Sequence, residues 1–72
     1  MNAPTELDHM EVLRIQLAVL RRQHRDLDDA IAALQGAPAP DQLGLRRLKK
    51  QKLRLKDEIA RIEDILTPDI IA

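Results

Sequence analysis

No cysteine and no aromatic residue occurs in this 72-residue chain, and glycine occurs only twice. Without cysteine there is neither a disulfide framework nor a thiolate metal site. Without Phe, Tyr or Trp, a core must be built from Leu, Ile and Val, whose shapes suit a helical seam better than an enclosed pocket. Gly36 and Gly44 stand apart, so no glycine-rich phosphate loop is present. Hydroxyl side chains are confined to Thr5 and Thr67, neither with a base nearby in the sequence, and His9 has no partner at metal-ligand spacing. No apolar run approaches the ~18 residues that a membrane span needs. Asp8, Glu11 and Arg14 break up the start of the chain, unlike a signal peptide. An excess of charge of one sign is missing too: twelve basic residues balance twelve acidic ones. These absences predict a protein that is not an enzyme, takes no cofactor or metal, binds no small-molecule substrate and works in the cytoplasm without a membrane.

What is present is a biased composition, 44% hydrophobic and 33% charged, dominated by Leu, Ala, Arg, Lys, Asp and Glu. That is the bias of coiled coils and long helices. From Met10 the apolar positions run Leu13, Leu17, Leu20, His24, Leu27, Ile31 and Leu34, alternating steps of three and four as a heptad seam does. After residues 36–41 (GAPAPD) the same alternation resumes with Leu45, Leu48, Lys52, Leu55, Ile59, Ile62 and Leu66. Thr5 and Asp41 are placed as N-caps, Gly36, Pro38 and Pro40 as a stop, and Thr67-Pro68 as the second stop. The pattern predicts an all-α fold: a frayed start at 1–5, a single antiparallel two-helix hairpin at 6–66 and a short tail at 67–72. Within the hairpin, helix 1 covers about 6–35, the turn 36–41 and helix 2 about 42–66. So short a turn forces the helices to lie antiparallel.

One register aligns all seven layers: Leu34 with Leu45, Ile31 with Leu48, Leu27 with Lys52, His24 with Leu55, Leu20 with Ile59, Leu17 with Ile62 and Leu13 with Leu66. It also brings Asp28 near Lys49 and Arg14 near Glu63. His24 is expected to be a packed seam residue with Asp28 one turn along as a local partner. Were its ring buried and neutral, protonation near ~6.5 would loosen the hairpin. Lys52 is expected to set register and to reach solvent along Leu27.

Two features lie off the seam. Val12, Ile15 and Val19, with Ala18, make a second apolar stripe at the end of the hairpin that carries the termini, and Ile65, Ile70 and Ile71 add to it. Such a patch predicts a partner, foremost a second copy pairing into a four-helix bundle. Residues 46–56 carry seven basic groups and no acid: Arg46, Arg47, Lys49, Lys50, Lys52, Arg54 and Lys56, with Leu53 among them. This block reads first as a solvated face, partly offset by Asp26, Asp28 and Asp29 across the hairpin. It also offers a charged face for an unidentified protein partner or, as the alternative function, phosphates of a nucleic acid.

The stretches QHRDLDDAI (23–31) and LKKQKLRLKDEI (48–59) resemble the YdcH-like family of small bacterial proteins. The shared pattern is a His followed by Leu-Asp and a hydrophobic residue, a short Gly/Pro turn, then a K-K-x-K-L-x-L-K-D-E block. It is carried by His24, Leu27, Asp28, Ile31, Lys49, Lys50, Lys52, Leu53, Leu55, Lys56, Asp57, Glu58 and Ile59, within residues 20–62. The resemblance implies a helical hairpin in a bacterial cytoplasm and, the family being a domain of unknown function, no activity to carry over. The stripe before residue 20 lies outside the pattern. The expected function is therefore a structural or adaptor module that acts through self-association and a charged helical face.

Overall fold

The computed structural model describes residues 5–67 and consists of two α-helices, α1 (Glu6–Gln35) and α2 (Gln42–Leu66), packed against each other as a hairpin. Expectations for residues 1–4 and 68–72, including the apolar contribution of Ile70 and Ile71, lie outside the described residues.

Each helix starts on a side-chain cap. Thr5 is extended, its hydroxyl oxygen accepts from the Asp8 N–H at 3.2 Å, and its own N–H donates to the Asp8 carboxylate at 3.0 Å. This reciprocal box satisfies two donors that the first turn would leave orphaned. The Thr5 N–H and hydroxyl hold the Asp8 carboxyl below the usual carboxylate range. Asp41 caps α2 by accepting the Gly44 N–H at 3.1 Å. At its far end α2 closes with the Thr67 N–H bonded to the Glu63 carbonyl, Thr67 being non-helical as befits a residue before proline.

The end of α1 differs in mechanism from the glycine stop read in the sequence. Gly36 sits at φ −82°, in the right-handed region open to any residue, and donates to the Ala32 carbonyl at 3.1 Å. Its lack of a side chain is not what ends the helix. Pro38 is, because it excludes helical geometry at Ala37 and offers no N–H.

All fourteen seam positions are buried or half-buried, with Leu17, Ile31 and Leu45 the most enclosed at 8%, 7% and 6% exposure. The polar flank of the seam corrects the pairing read at the level of sequence register. Asp28 pairs with Lys52 rather than Lys49, and Glu63 takes Arg21 at 2.6 Å while Arg14 bonds to Glu11 at 3.5 Å on its own helix. Leu17 and Leu66 line one surface groove between the helices, Leu20 and Ile62 another, and Leu27 and Leu55 a third. The α2 partner of Asp28 lies about one turn further along than the expected Lys49. Helical side chains lean toward the N-terminus of their own helix. In an antiparallel pair both leans displace contacts in the same sense, so the long side chains of an ion pair meet beyond the Cα register.

The two glycines make contrasting predictions. A Cβ at Gly36 would meet the Ala32 and Ala33 carbonyl oxygens at 3.5 and 3.8 Å, ordinary contacts, whereas one at Gly44 would lie 2.7 Å from the capping carboxylate of Asp41. Gly36→Ala should stabilise the hairpin by about 0.5–1 kcal/mol through the unfolded chain. Gly44→Ala should show no gain, because displacing the cap costs about 1 kcal/mol and offsets the helix-propensity benefit. Urea titrations of both variants check this, and equal stabilisation by the two would contradict it.

Candidate functional site

A small polar cluster interrupts the apolar seam near its middle. His24 and Lys52 occupy seam positions on opposite helices, and Asp28, one turn after His24, sits between them. The Lys52 ammonium forms an ion pair with one Asp28 oxygen, and the His24 Nδ1 lies 3.8 Å from the other. All three side chains are partly exposed, so the charges are solvated as well as paired. The ion pair with Lys52, more than the nearby His24, holds the Asp28 carboxyl below its usual range against a smaller opposing effect of desolvation. The aliphatic stem of Lys52 fills the seam while its charge reaches the rim, which is how an amphipathic side chain occupies a core position. His24 is 27% exposed and lies beside the Asp28 carboxylate, so its ring is partly solvated rather than enclosed in the seam.

The basic block forms the first half of α2. Of its seven cations, only Lys52 has a carboxylate within 4.0 Å among the described residues; Arg46, Arg47, Lys49, Lys50, Arg54 and Lys56 are exposed and unpaired. The offset expected from three α1 aspartates comes from Asp28 alone. Asp26 shares a groove with Arg54, and Asp29 one with Lys49, but neither pair closes to contact distance. Leu53 stands 62% exposed among these cations and lines a groove with Ile31 and Ala32. No acid occupies the first turn of α2. The block's positive charge near the start of the helix therefore opposes the dipole, with the Asp41 cap carboxylate as the acid at that end.

The second apolar stripe lies open. Val12, Ile15, Val19 and Ile65 are 52%, 58%, 51% and 49% exposed. Ile15 and Val19 border a groove whose other wall carries Glu58, Arg61 and Ile62, with Leu20 at its base. Ile65, seven residues after Glu58, continues that same side of α2. Leu7 and Leu43, at 78% and 71% exposure, are further large apolar side chains that periodicity passed over. Both sit off the seam beside a helix cap, and only their position two residues from a seam or cap residue could have flagged them.

The grooves are shallow and lined by side chains at the helix interface. Among the described residues, no cluster of three or more His, Asp or Glu could hold a metal ion, and no helix is long and apolar enough to cross a membrane.

Residues 17–63 match the profile of a family described as "Protein of unknown function (DUF465)". Neither the curated proteins nor the solved structures contain a significant match. The match covers well over half of the chain, and the chain belongs to this family.

Because Asp28 is held below its usual range, its share of stability is present above the ordinary carboxylate value and is lost as pH falls through the lowered one. Asp28→Asn should therefore melt below the wild type at pH 7, and the gap should close on acidification from about pH 5 to about pH 2. Thermal melts across that range check this. A gap that persists at the acid end would contradict the ion pair's role.

Proposed function

We propose that this chain is a non-catalytic helical interaction module, which self-associates through Val12, Ile15, Val19 and Ile65 and presents the basic face of α2 to another protein. The observation that carries the reading is the half-exposed apolar stripe on a hairpin with so small a core: only Leu17, Ile31 and Leu45 are buried among the described residues. A single core in a chain of this size rarely supplies more than ~3–5 kcal/mol, and small folds add disulfides, metals or oligomerisation. The first is excluded by composition. Pairing of two hairpins into a four-helix bundle removes the stripe from water and enlarges the core in one step.

The face that reaches other proteins is α2 from Arg46 to Lys56. A wholly phosphate-directed surface has no use for an exposed Leu at its centre, whereas a protein contact gains from an apolar anchor ringed by charge. Leu53 thus favours a protein over the nucleic-acid alternative. The likeness to YdcH-like proteins adds a bacterial cytoplasmic setting to this reading.

Sedimentation at micromolar concentration tests the self-association. The wild type should run at twice the 8.2 kDa chain mass or above, and Ile15→Asp, which places a charge on the stripe, should run at the single-chain mass and melt below the wild type. A wild-type monomer across the micromolar range would overturn the proposal.

A further inference from the structure

The outward face of α1 carries three blocks in order. Asp8 and Glu11 come first, then Val12, Ile15 and Val19, then Arg22 and Arg25. Arg22 and Arg25 are exposed and have no carboxylate within 4.0 Å among the described residues. Asp8 keeps its negative charge firmly, because the Thr5 donors lower its pKa. Between the charged blocks the face is neutral, with Gln16 beside Ile15 and Val19 on the groove shared with Ile62. An order of acid, apolar, base is complementary to its own reverse.

We infer that α1 pairs antiparallel with α1 of a second copy, about a two-fold axis passing between Ile15 and Gln16. This rests on the self-association proposed above and specifies its geometry. In this register Val12 of each copy faces Val19 of the other, and Ile15 lies beside Gln16 across the axis. Arg22 of each copy comes to the turn that carries Asp8 and His9 in the other. Asp26 falls beside the start of the opposing helix, where the dipole favours negative charge. Ile62 and Ile65 lie near the level of the axis on α2, so both helices of each hairpin contribute to the contact. A parallel pairing would instead set Asp8 against Asp8, Glu11 against Glu11 and Arg22 against Arg22, and like charges brought together oppose association. Such an interface is isologous, each patch meeting its own copy, as a two-fold requires.

The cysteine-free chain makes the register directly measurable. Val12→Cys and Val19→Cys, both at exposed positions, are prepared singly, mixed or kept apart, and oxidised mildly. Facing positions in packed helices satisfy disulfide geometry, while positions two turns apart do not, so the mixture should give about tenfold more crosslinked dimer than either variant alone. Efficient crosslinking of Val12→Cys by itself would establish a parallel pairing and overturn the inference. Equal, weak crosslinking in all three samples would overturn the register. Sedimentation of the same variants under reducing conditions separates the two levels. A dimer with the wrong crosslinks removes the antiparallel α1 contact and leaves self-association standing, whereas a monomer removes both.

Discussion

The tertiary packing of the described residues runs through one helix–helix seam, aliphatic except at His24 and Lys52. A third layer is lacking among the described residues, and no aromatic ring or covalent link supplements it. Apolar burial contributes about 25 cal/mol per Å² removed from water, and two helices have only one face each to offer. Leu17, Ile31 and Leu45 reach burial, while the other seam positions stay partly wet. The exposed stripe and the polar cluster both take their meaning from this shortage.

The polar cluster shows how the seam tolerates charge. A lysine in a small core is costly if its ammonium is enclosed. Lys52 avoids that by leaning out to Asp28, and the same lean fixes which carboxylate it meets. Both ion pairs that cross the hairpin, Asp28–Lys52 and Arg21–Glu63, lie at its solvated edges, where water screens them and each contributes little. They select the antiparallel register more than they stabilise it. The cations left over in the first half of α2 are therefore available to something else, and Leu53 among them marks where an apolar contact would sit.

Much of this was legible in the residues before any coordinate. The heptad alternation, the Thr5 and Asp41 caps and the Gly36–Asp41 break are local signals, each acting within a few residues, so two helices and a tight turn follow from them. Pairing across the hairpin was less legible, since the direction in which long side chains lean is a property of the folded helix and decides which charges meet, Asp28 with Lys52 and Glu63 with Arg21. Gly36 was read with Pro38 and Pro40 as the stop, and of the three Gly36 has a backbone of a kind any residue adopts, which leaves the prolines as the signal. The stripe of Val12, Ile15 and Val19 was visible as periodicity, but Leu7 and Leu43 were not, because isolated exposed residues beside caps have no period. Membership in a family of unknown function brought no activity to set beside these surfaces.

The central claim is that the apolar end of the hairpin is completed by a second copy, so that folding and association are one equilibrium. Thermal unfolding followed over about a hundredfold range of protein concentration tests this most directly, because a species that binds only when folded raises the melting temperature as its concentration rises. The account predicts a melting temperature that climbs steadily with concentration. One that stays constant across the range would mean that the hairpin is stable alone, and would contradict it.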